Sequence, residues 1–473
     1  MNFSVYTLGC KLNQLETEAI TDAFRRQGFS LVSEGSPEAG IVIINTCTVT
    51  SMAEQKARRL IRKLLKDYPA SFFIVTGCYA QLDKAAIEKE FPSRLIVIPG
   101  ENKDTLLDLP ALIKDTPAEQ IGSEMFDAEK NHAMQNPVAQ NPAAQNPAGA
   151  ADRAFRFRPE KFSSHSRGFL KIQDGCDRHC SYCRVRLARG KSRSLGAEKV
   201  LEELAAMEKR GINEAVLTGV NITQYQDSFT ELPELLEYLL KGTSTIRLRL
   251  SSIDPDSLNE RFFDVISDER IRPHFHLSLQ SGSAEILAKM GRPYAPHDIE
   301  KTLERFRSVR NDPFLACDII AAFPGESEAE FEKTKVFCGK AGFAWIHAFP
   351  FSRRPGTGAY NLPERVNEKE AKRRVEILTS LAHKGRREYI ERWKGREAEA
   401  IVEAGKRLSS VQGPAQGPGA FVPGVSENYL KLLIANNACS KEPLPLPGSL
   451  VKCRILEETP KDSRFDAFAE IIT

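Results

Sequence analysis

The densest chemistry in the chain lies in eight residues, Cys176-Asp177-Arg178-His179-Cys180-Ser181-Tyr182-Cys183, a C-x3-C-x2-C array. Three thiolates this close can hold iron or zinc. Zinc knuckles usually bring two paired C-x2-C arms, and no second arm follows here, so half a zinc site fits poorly. Three cysteines suit a 4Fe–4S cluster with one iron left free of protein ligands.

A second triplet is scattered. Cys10, Cys47 and Cys78 each end an apolar run: Tyr6-Thr7-Leu8-Gly9-Cys10, Ile44-Asn45-Thr46-Cys47 and Val75-Thr76-Gly77-Cys78. A lone cysteine of this kind is ordinarily a buried apolar residue. Three at equivalent places, two of them after glycine, predict convergence, because open α/β sheets bind ligands at the carboxyl ends of their strands. The expectation is a second three-thiolate cluster. Cys317, Cys338, Cys439 and Cys453 share no spacing and read as packing residues. His274 and His276 alternate on one strand with no evident carboxylate or third ligand, and read as satisfied core histidines.

Positioning these groups requires elements. Runs Phe3–Leu8, Ile41–Ile44, Phe72–Val75 and Leu95–Ile98 read as buried parallel strands, short and rich in β-formers. Between them, residues 53–66 carry a helical stripe of Ala57, Leu60, Ile61, Leu64 and Leu65, with six basic residues off it. Residues 1–118 are therefore expected to form an open parallel α/β domain. Residues 131–151 contain no Asp, Glu, Lys or Arg and repeat Asn-Pro-x-x-x three times from Asn136, so 131–152 is expected to be a disordered linker.

A second βα series follows, with strands expected at Gly168–Gln173, Ala215–Thr218, Ile246–Ser251, Phe275–Leu279, Leu315–Phe323 and Trp345–Phe349. Six strands fall two short of a full eight-stranded barrel, so residues 160–392 are expected to form a partial (β/α)6 barrel. Thr218, Gly219, Ser251 and Gln280 stand at strand ends, where such barrels carry their sites. The long helix Glu368–Trp393 leads to residues 393–473, which read as a small all-β module.

Composition narrows the class further. Apolar residues make up 41% and charged residues 27%, so the chain can bury real cores. No apolar run approaches the ~18 residues that a membrane helix needs, and no membrane association is expected. The first six residues show no basic start and no long apolar stretch, so a cytoplasmic location is expected, where ten cysteines would not form a disulfide framework. Net charge is only +3, but residues 156–193 hold eleven Lys or Arg against three acids, and 372–396 nine against three. Residues 397–473 hold eight against ten. Phosphate contacts are expected on the first two segments.

The C-x3-C-x2-C array, with an aromatic before its last cysteine, resembles the radical S-adenosylmethionine superfamily. Both triplets in this order resemble the tRNA methylthiotransferase family over nearly the whole chain. Gly9-Cys10-Lys11-Leu12-Asn13-Gln14, Asn45-Thr46-Cys47-Thr48-Val49-Thr50, Leu279-Gln280-Ser281-Gly282, Phe323-Pro324-Gly325-Glu326 and Arg354-Pro355-Gly356-Thr357 carry that resemblance. The first two boxes look like the branch acting on N6-threonylcarbamoyladenosine beside the anticodon, and the C-terminal module looks like a TRAM domain, which implies a small OB-like β-barrel that binds RNA. Arg184 and Ala322 depart from the family pattern, the latter standing where glycine commonly precedes Phe-Pro-Gly-Glu.

The resemblance implies two 4Fe–4S clusters. One sits on Cys176, Cys180 and Cys183 and binds S-adenosylmethionine near Tyr182, Thr218, Gly219, Ser251 and Gln280. The other sits on Cys10, Cys47 and Cys78 and presents sulfur. It further implies a 5′-deoxyadenosyl radical that takes hydrogen from C2 of the adenine, and a second S-adenosylmethionine that supplies the methyl group. The partners implied are tRNA, a low-potential flavodoxin- or ferredoxin-type electron donor and a sulfur source, with the enzyme acting as a monomer. Three alternatives stay open: the same chemistry on isopentenyladenosine, on a ribosomal-protein aspartate, or a non-catalytic iron–sulfur RNA binder.

Overall fold

The computed structural model describes residues 1–91, 94–116, 153–162, 165–228, 230–405, 421–436, 443–460 and 463–472. The expected linker at 131–152 and Cys439 lie outside them.

Five parallel strands form the first sheet: β1 (Asn2–Thr7), β2 (Ser30–Leu31), β3 (Ile41–Thr46), β4 (Phe72–Gly77) and β5 (Leu95–Val97). Their spatial order is β2-β1-β3-β4-β5. The chain reverses its direction of winding between β1 and β3, and the crevice at such a switch point is where open α/β sheets bind ligands. Side chains alternate across the sheet into two cores. Phe3, Ile41, Ile43 and Ile74 pack with Ile20 and Phe24 of α1 (Lys11–Arg26) on one face. Val42, Ile44, Phe73 and Val75 pack with Ala57, Ile61 and Leu64 of α2 (Ser51–Asp67) on the other. Strands buried on both faces explain the continuous apolar runs in the sequence.

Six further parallel strands follow: β6 (Gly168–Lys171), β7 (Glu214–Thr218), β8 (Arg247–Leu250), β9 (His274–Gln280), β10 (Phe314–Ala321) and β11 (Trp345–Pro350). They pair in chain order as two triplets, β6-β7-β8 and β9-β10-β11, joined through the single bridges Leu248–Ile271 and Ile253–Leu277. One continuous apolar core, from Phe155 to Ala382, lies between these strands and their helices. The six expected strands match these within a few residues.

The helix Glu368–Trp393 ends against a closed barrel of β12 (Glu397–Val402), β13 (Val422–Ser426), β14 (Lys431–Ala435), β15 (Leu450–Glu458) and β16 (Ala467–Ile471). Tyr389, Ile390 and Trp393 of the helix join its core. No described helix is long and apolar enough to cross a membrane.

Candidate active site between two cysteine triplets

The loop after β6 holds Cys176, Cys180 and Cys183. At Gly175 (φ +72°) a β-carbon would lie 1.9 Å from the Lys191 carbonyl oxygen, so only glycine lets the returning strand close over the loop. Donors converge on all three sulfurs at 3.4 Å: the Arg178 amide on Cys176, the Val185 amide on Cys183 and Arg292 Nη1 on Cys180. Burial pushes the Cys183 thiol up to about 12 and raises Cys176, against the N–H donors aimed at their sulfurs. Coordination would deprotonate them outright and turn those contacts into N–H to thiolate hydrogen bonds.

The N-terminal triplet is assembled at the β1/β3 switch point and the adjoining end of β4. At Gly9 (φ +117°) a β-carbon would meet Cys47 Cβ at 2.7 Å and Sγ at 2.9 Å, so the end of β1 lies directly on Cys47. At Gly77 (φ +102°) one would collide with the Thr46 carbonyl at 2.2 Å, which fixes how closely Cys78 approaches the end of β3. Asn13 Nδ2 donates to Leu8 O at 2.8 Å and Thr46 O at 3.0 Å, tying the two strand ends together. Cys10 is open to solvent on one side and enclosed on the others. Its thiol is raised by desolvation, lowered by Arg189 and raised again by Cys78. Burial pushes Cys47 to about 12, and the Val49 amide donates to its sulfur at 3.4 Å.

The cysteine loop faces a cavity that the chain just after Cys47 helps to close, while Cys78 lines a separate space with Glu16 and Arg189. A space of about 310 Å³ touches Cys176, Cys180, Tyr182 and Cys183 on the barrel side and Val49 and Thr50, next to Cys47, on the other. A cubane spreads its thiolates over different irons, so the three loop sulfurs, each with its own N–H donor, are a donor set that a 4Fe–4S cluster would use.

Two buried charge networks hold this arrangement. From the helix Val185–Arg189, Arg189 donates to Glu16 at 2.9 Å, Asp174 at 3.1 Å and Asn13 at 3.0 Å. Lys103 and Lys171 complete the cluster at 2.5 and 3.2 Å from Glu16. Burial alone would raise both carboxyls. Arg189 and Lys103 outweigh it and hold Glu16 well below the usual range, while Lys171 and Arg189 bring Asp174 to about 2. In the second network Glu54 of α2 accepts from Arg184 at 3.1 Å and from Arg354. Arg354 also donates to Thr48 O at 2.8 Å, and Ser51 N donates to Ser352 Oγ at 2.8 Å.

The expected rim residues lie at two depths. Tyr182 and Gln280 stand on the cavity wall with Asn221, Ser252, Asp254 and Arg292, and the rim reaches the wall at Val220 and Asn221, just after Gly219, and at Ser252, next to Ser251. Thr218 and Ser251 are buried beneath with unpartnered hydroxyls, and Gly219 packs on Gln173. His276 does have a carboxylate: Nε2 lies 3.2 Å from Asp318 and Nδ1 2.7 Å from Ser252 Oγ. The His274 and Tyr429 rings lie 4.1 Å apart, tilted by 30°, and burial holds His274 well below the ordinary imidazole range. Cys317, Cys338 and Cys453 are buried as expected.

The basic segment 156–193 is largely consumed internally. Lys171, Arg184 and Arg189 are in the networks above, Arg178 pairs with Asp254 and Asp256, and Arg167 with Glu403. A charge count cannot see this, because the acids that neutralise the segment lie far away in sequence. Asp254 and Arg292, paired at 2.7 Å, were missed for the same reason.

A model of the radical SAM superfamily matches residues 170–338, and one of the uncharacterized protein family UPF0004 matches residues 2–98. The threonylcarbamoyladenosine tRNA methylthiotransferase MtaB of Treponema pallidum is 40% identical over 84% of this chain and 90% of its own. The chain belongs to that family of methylthiotransferases. The MtaB of Bacillus subtilis is 29% identical over 96% of this chain and 93% of its own. The methylthiotransferase sequence is also 29% identical to the tRNA-2-methylthio-N(6)-dimethylallyladenosine synthase of Syntrophotalea carbinolica, over 87% and 90%. In fold it is similar to the radical S-adenosylmethionine methyltransferase TsrM of Kitasatospora setae, with a TM-score of 0.51 at 14% identity, over 76% of this chain and 75% of that one. Family membership makes it a radical SAM enzyme that uses S-adenosylmethionine and two 4Fe–4S clusters.

Proposed function

We propose that the enzyme converts N6-threonylcarbamoyladenosine beside the anticodon of tRNA to its 2-methylthio derivative. Cys176, Cys180 and Cys183 would hold the cluster that binds S-adenosylmethionine, and Cys10, Cys47 and Cys78 the cluster that presents sulfur. The observation that carries this is the cavity at the cysteine loop: all three loop cysteines line it together with Val49 and Thr50, two and three residues after Cys47. When bound, the clusters and S-adenosylmethionine supply the electron, the radical, the sulfur and the methyl group.

The protein's own part is to bind and align. Asn221, Ser252, Asp254 and Arg292 ring the loop cysteines with polar atoms suited to the amino, carboxylate and ribose groups of S-adenosylmethionine. Arg292 is itself pinned to Asp254 at 2.7 Å and to Tyr294 Oη at 2.7 Å, which fixes its direction. The Ser252–His276–Asp318 chain makes part of the wall polar, which favours a threonylcarbamoyl arm, bearing hydroxyl, ureido and carboxylate groups, over an apolar dimethylallyl group. Phe349 and Val49 offer exposed apolar faces for the adenine. The enclosed Glu54 and Glu16 networks hold the first domain against the barrel mouth. The C-terminal closed barrel supports the reading of a TRAM-type RNA-binding module, and residues 1–118, 160–392 and 393–473 are read as the three domains. A cytoplasmic monomer served by a separate low-potential electron donor and a sulfur source completes the proposal.

Nucleoside mass spectrometry of tRNA tests it. Cells lacking the gene should lose 2-methylthio-N6-threonylcarbamoyladenosine alone, and Cys176→Ala/Cys180→Ala/Cys183→Ala should not restore it. Anaerobic iron should fall from about eight to about four per chain in that variant. An unchanged nucleoside profile refutes the substrate.

A further inference from the structure

A groove outside the barrel mouth takes no part in the chemistry above. A space of about 600 Å³ lies across Pro350 and Phe351, which form a wall shared with the cysteine-loop cavity. That wall is pinned by the contacts that dock the first domain, Ser352 to Ser51 and Arg354 to Glu54 and Thr48. The groove's bed is apolar, built from Met52, Tyr360, Leu362, Val366 and Val375. Met52 is 68% exposed, an unfavourable state for so large an apolar side chain beside other bare apolar surface.

The rim is charged. Arg353 lies over the Tyr360 ring at 4.0 Å, its Nε held by the Tyr360 carbonyl at 2.7 Å, so cation and ring form a built platform. Arg365 and Lys372 are exposed at the same opening. Glu368 and Glu376 also reach it, the latter 3.8 Å from Lys372. Beyond Met52, α2 presents Lys56, Arg59 and Lys63 to solvent, a cationic path leading away from the groove.

We infer that this groove binds the base of an unpaired nucleotide adjacent to the target adenosine, with Arg353, Arg365 and Lys372 on its phosphates. The inference rests on the function proposed above. An apolar bed with one ring–guanidinium platform and cations at the rim is the chemistry that holds an unstacked base irrespective of its identity. Because one thin wall separates the groove from the candidate active site, consecutive nucleotides of a splayed loop can straddle it. Occupying the groove would hold the target base out of the loop's stack and so position it for reaction.

The test uses the cluster-loaded full-length enzyme and an anticodon stem–loop RNA carrying threonylcarbamoyladenosine. Ala371→Trp fills the groove from the long helix without touching a charge. It should lower kcat/KM for RNA about tenfold, leaving RNA-independent cleavage of S-adenosylmethionine unchanged. An abasic site on one side of the target should cost wild type the same factor and cost Ala371→Trp nothing more. Independently, Arg353→Ala/Arg365→Ala/Lys372→Ala, all surface changes, should flatten the slope of log affinity against log salt by about 0.7 for each phosphate no longer neutralised. Wild-type kinetics in Ala371→Trp, multiplicative losses with the abasic RNA, or an unchanged salt slope would overturn the inference alone. No product from wild type would instead overturn the functional reading on which it rests.

Discussion

Replacing Glu54 by Gln should uncouple the two halves of the reaction. Glu54 belongs to the first domain, and its carboxylate is enclosed by two arginines of the second, Arg184 and Arg354, with relative exposures of 7%, 8% and 2%. Removing one partner of a buried ion pair costs about 3–5 kcal/mol, because the remaining charges lose their compensation without regaining water. Gln keeps an acceptor and the shape, so the lower end applies, about 3 kcal/mol. If that cost falls on docking, the ratio of docked to undocked domain drops about a hundredfold, at 1.4 kcal/mol per factor of ten. The barrel keeps its own core and its own cysteine loop. The variant should therefore still cleave S-adenosylmethionine to 5′-deoxyadenosine while methylthiolating RNA far more slowly, and protease should release residues 1–118 sooner. Glu54→Met/Arg184→Met/Arg354→Met should recover much of the docking, since replacing the buried members of an ion cluster by apolar groups is often neutral and the carboxylate left over, Asp83 beside Arg184, is still partly exposed to water. Coupled turnover and proteolysis indistinguishable from wild type in Glu54→Gln would refute the clamp.

Three other outcomes follow from the same geometry. Asp174 and Glu214 are held at about 2, below their ordinary 3.8 and 4.5. Their stabilisation is complete above about pH 4.5 and is lost as pH falls toward 2; thermal melts should show that acid limb, and Glu214→Gln should lower the plateau and flatten it. Arg189 lowers the Cys10 thiol, so Arg189→Met should slow alkylation of Cys10 in the iron-free chain several-fold at pH 8, and Arg189→Lys should largely restore it. Ala322 sits at φ +62°, where an L side chain costs about 1 kcal/mol or more, so Ala322→Gly should raise the unfolding free energy by up to about 1 kcal/mol, read from denaturant midpoints.

What could be read from the sequence was whatever is local or periodic. Strands β3 and β4 are buried along their whole length, so they stand out as unbroken apolar runs, and Cys47 and Cys78 are legible as their ends. The loop cysteines are legible because cluster ligation is a short-range constraint. Strand β2 was invisible because two exposed residues, Ser30 and Leu31, make no pattern. Strand β13 was hidden by Pro423 and Gly424, which a closed barrel tolerates and a periodicity argument does not. At the barrel rim, β7 and β8 end at Thr218 and Leu250, and the side chains on the cavity wall come from the coil beyond, Asn221 and Ser252. Hydrophobic pattern defines where a strand is buried and says nothing of which following residue turns back toward the lumen.

The basic residues give the general form of that limit. Counting eleven cations in 156–193 suggested an RNA-facing surface, yet the acids they meet come from Glu16, Glu54, Asp254 and Glu403, spread over nearly four hundred residues of chain. A cation with a buried partner is already neutralised, and exchanging that partner for phosphate would strand the carboxylate in a low-dielectric site. RNA must therefore be gripped by cations left at the surface, such as Lys56, Arg59 and Lys63 on α2 and Arg353, Arg365 and Lys372 around the groove. Those two sets flank Met52 and the wall at Pro350–Phe351, whereas Arg178 and Arg184 of the consumed set line the cysteine-loop cavity itself with their charges already paired. The division assigns the internal arginines to holding the first domain against the cysteine loop and the external cations to presenting a nucleotide to it. Charge reversal at Lys56 and Lys63 should then weaken RNA binding without altering iron content, whereas charge removal at Arg184 should break coupling without altering the salt dependence of binding.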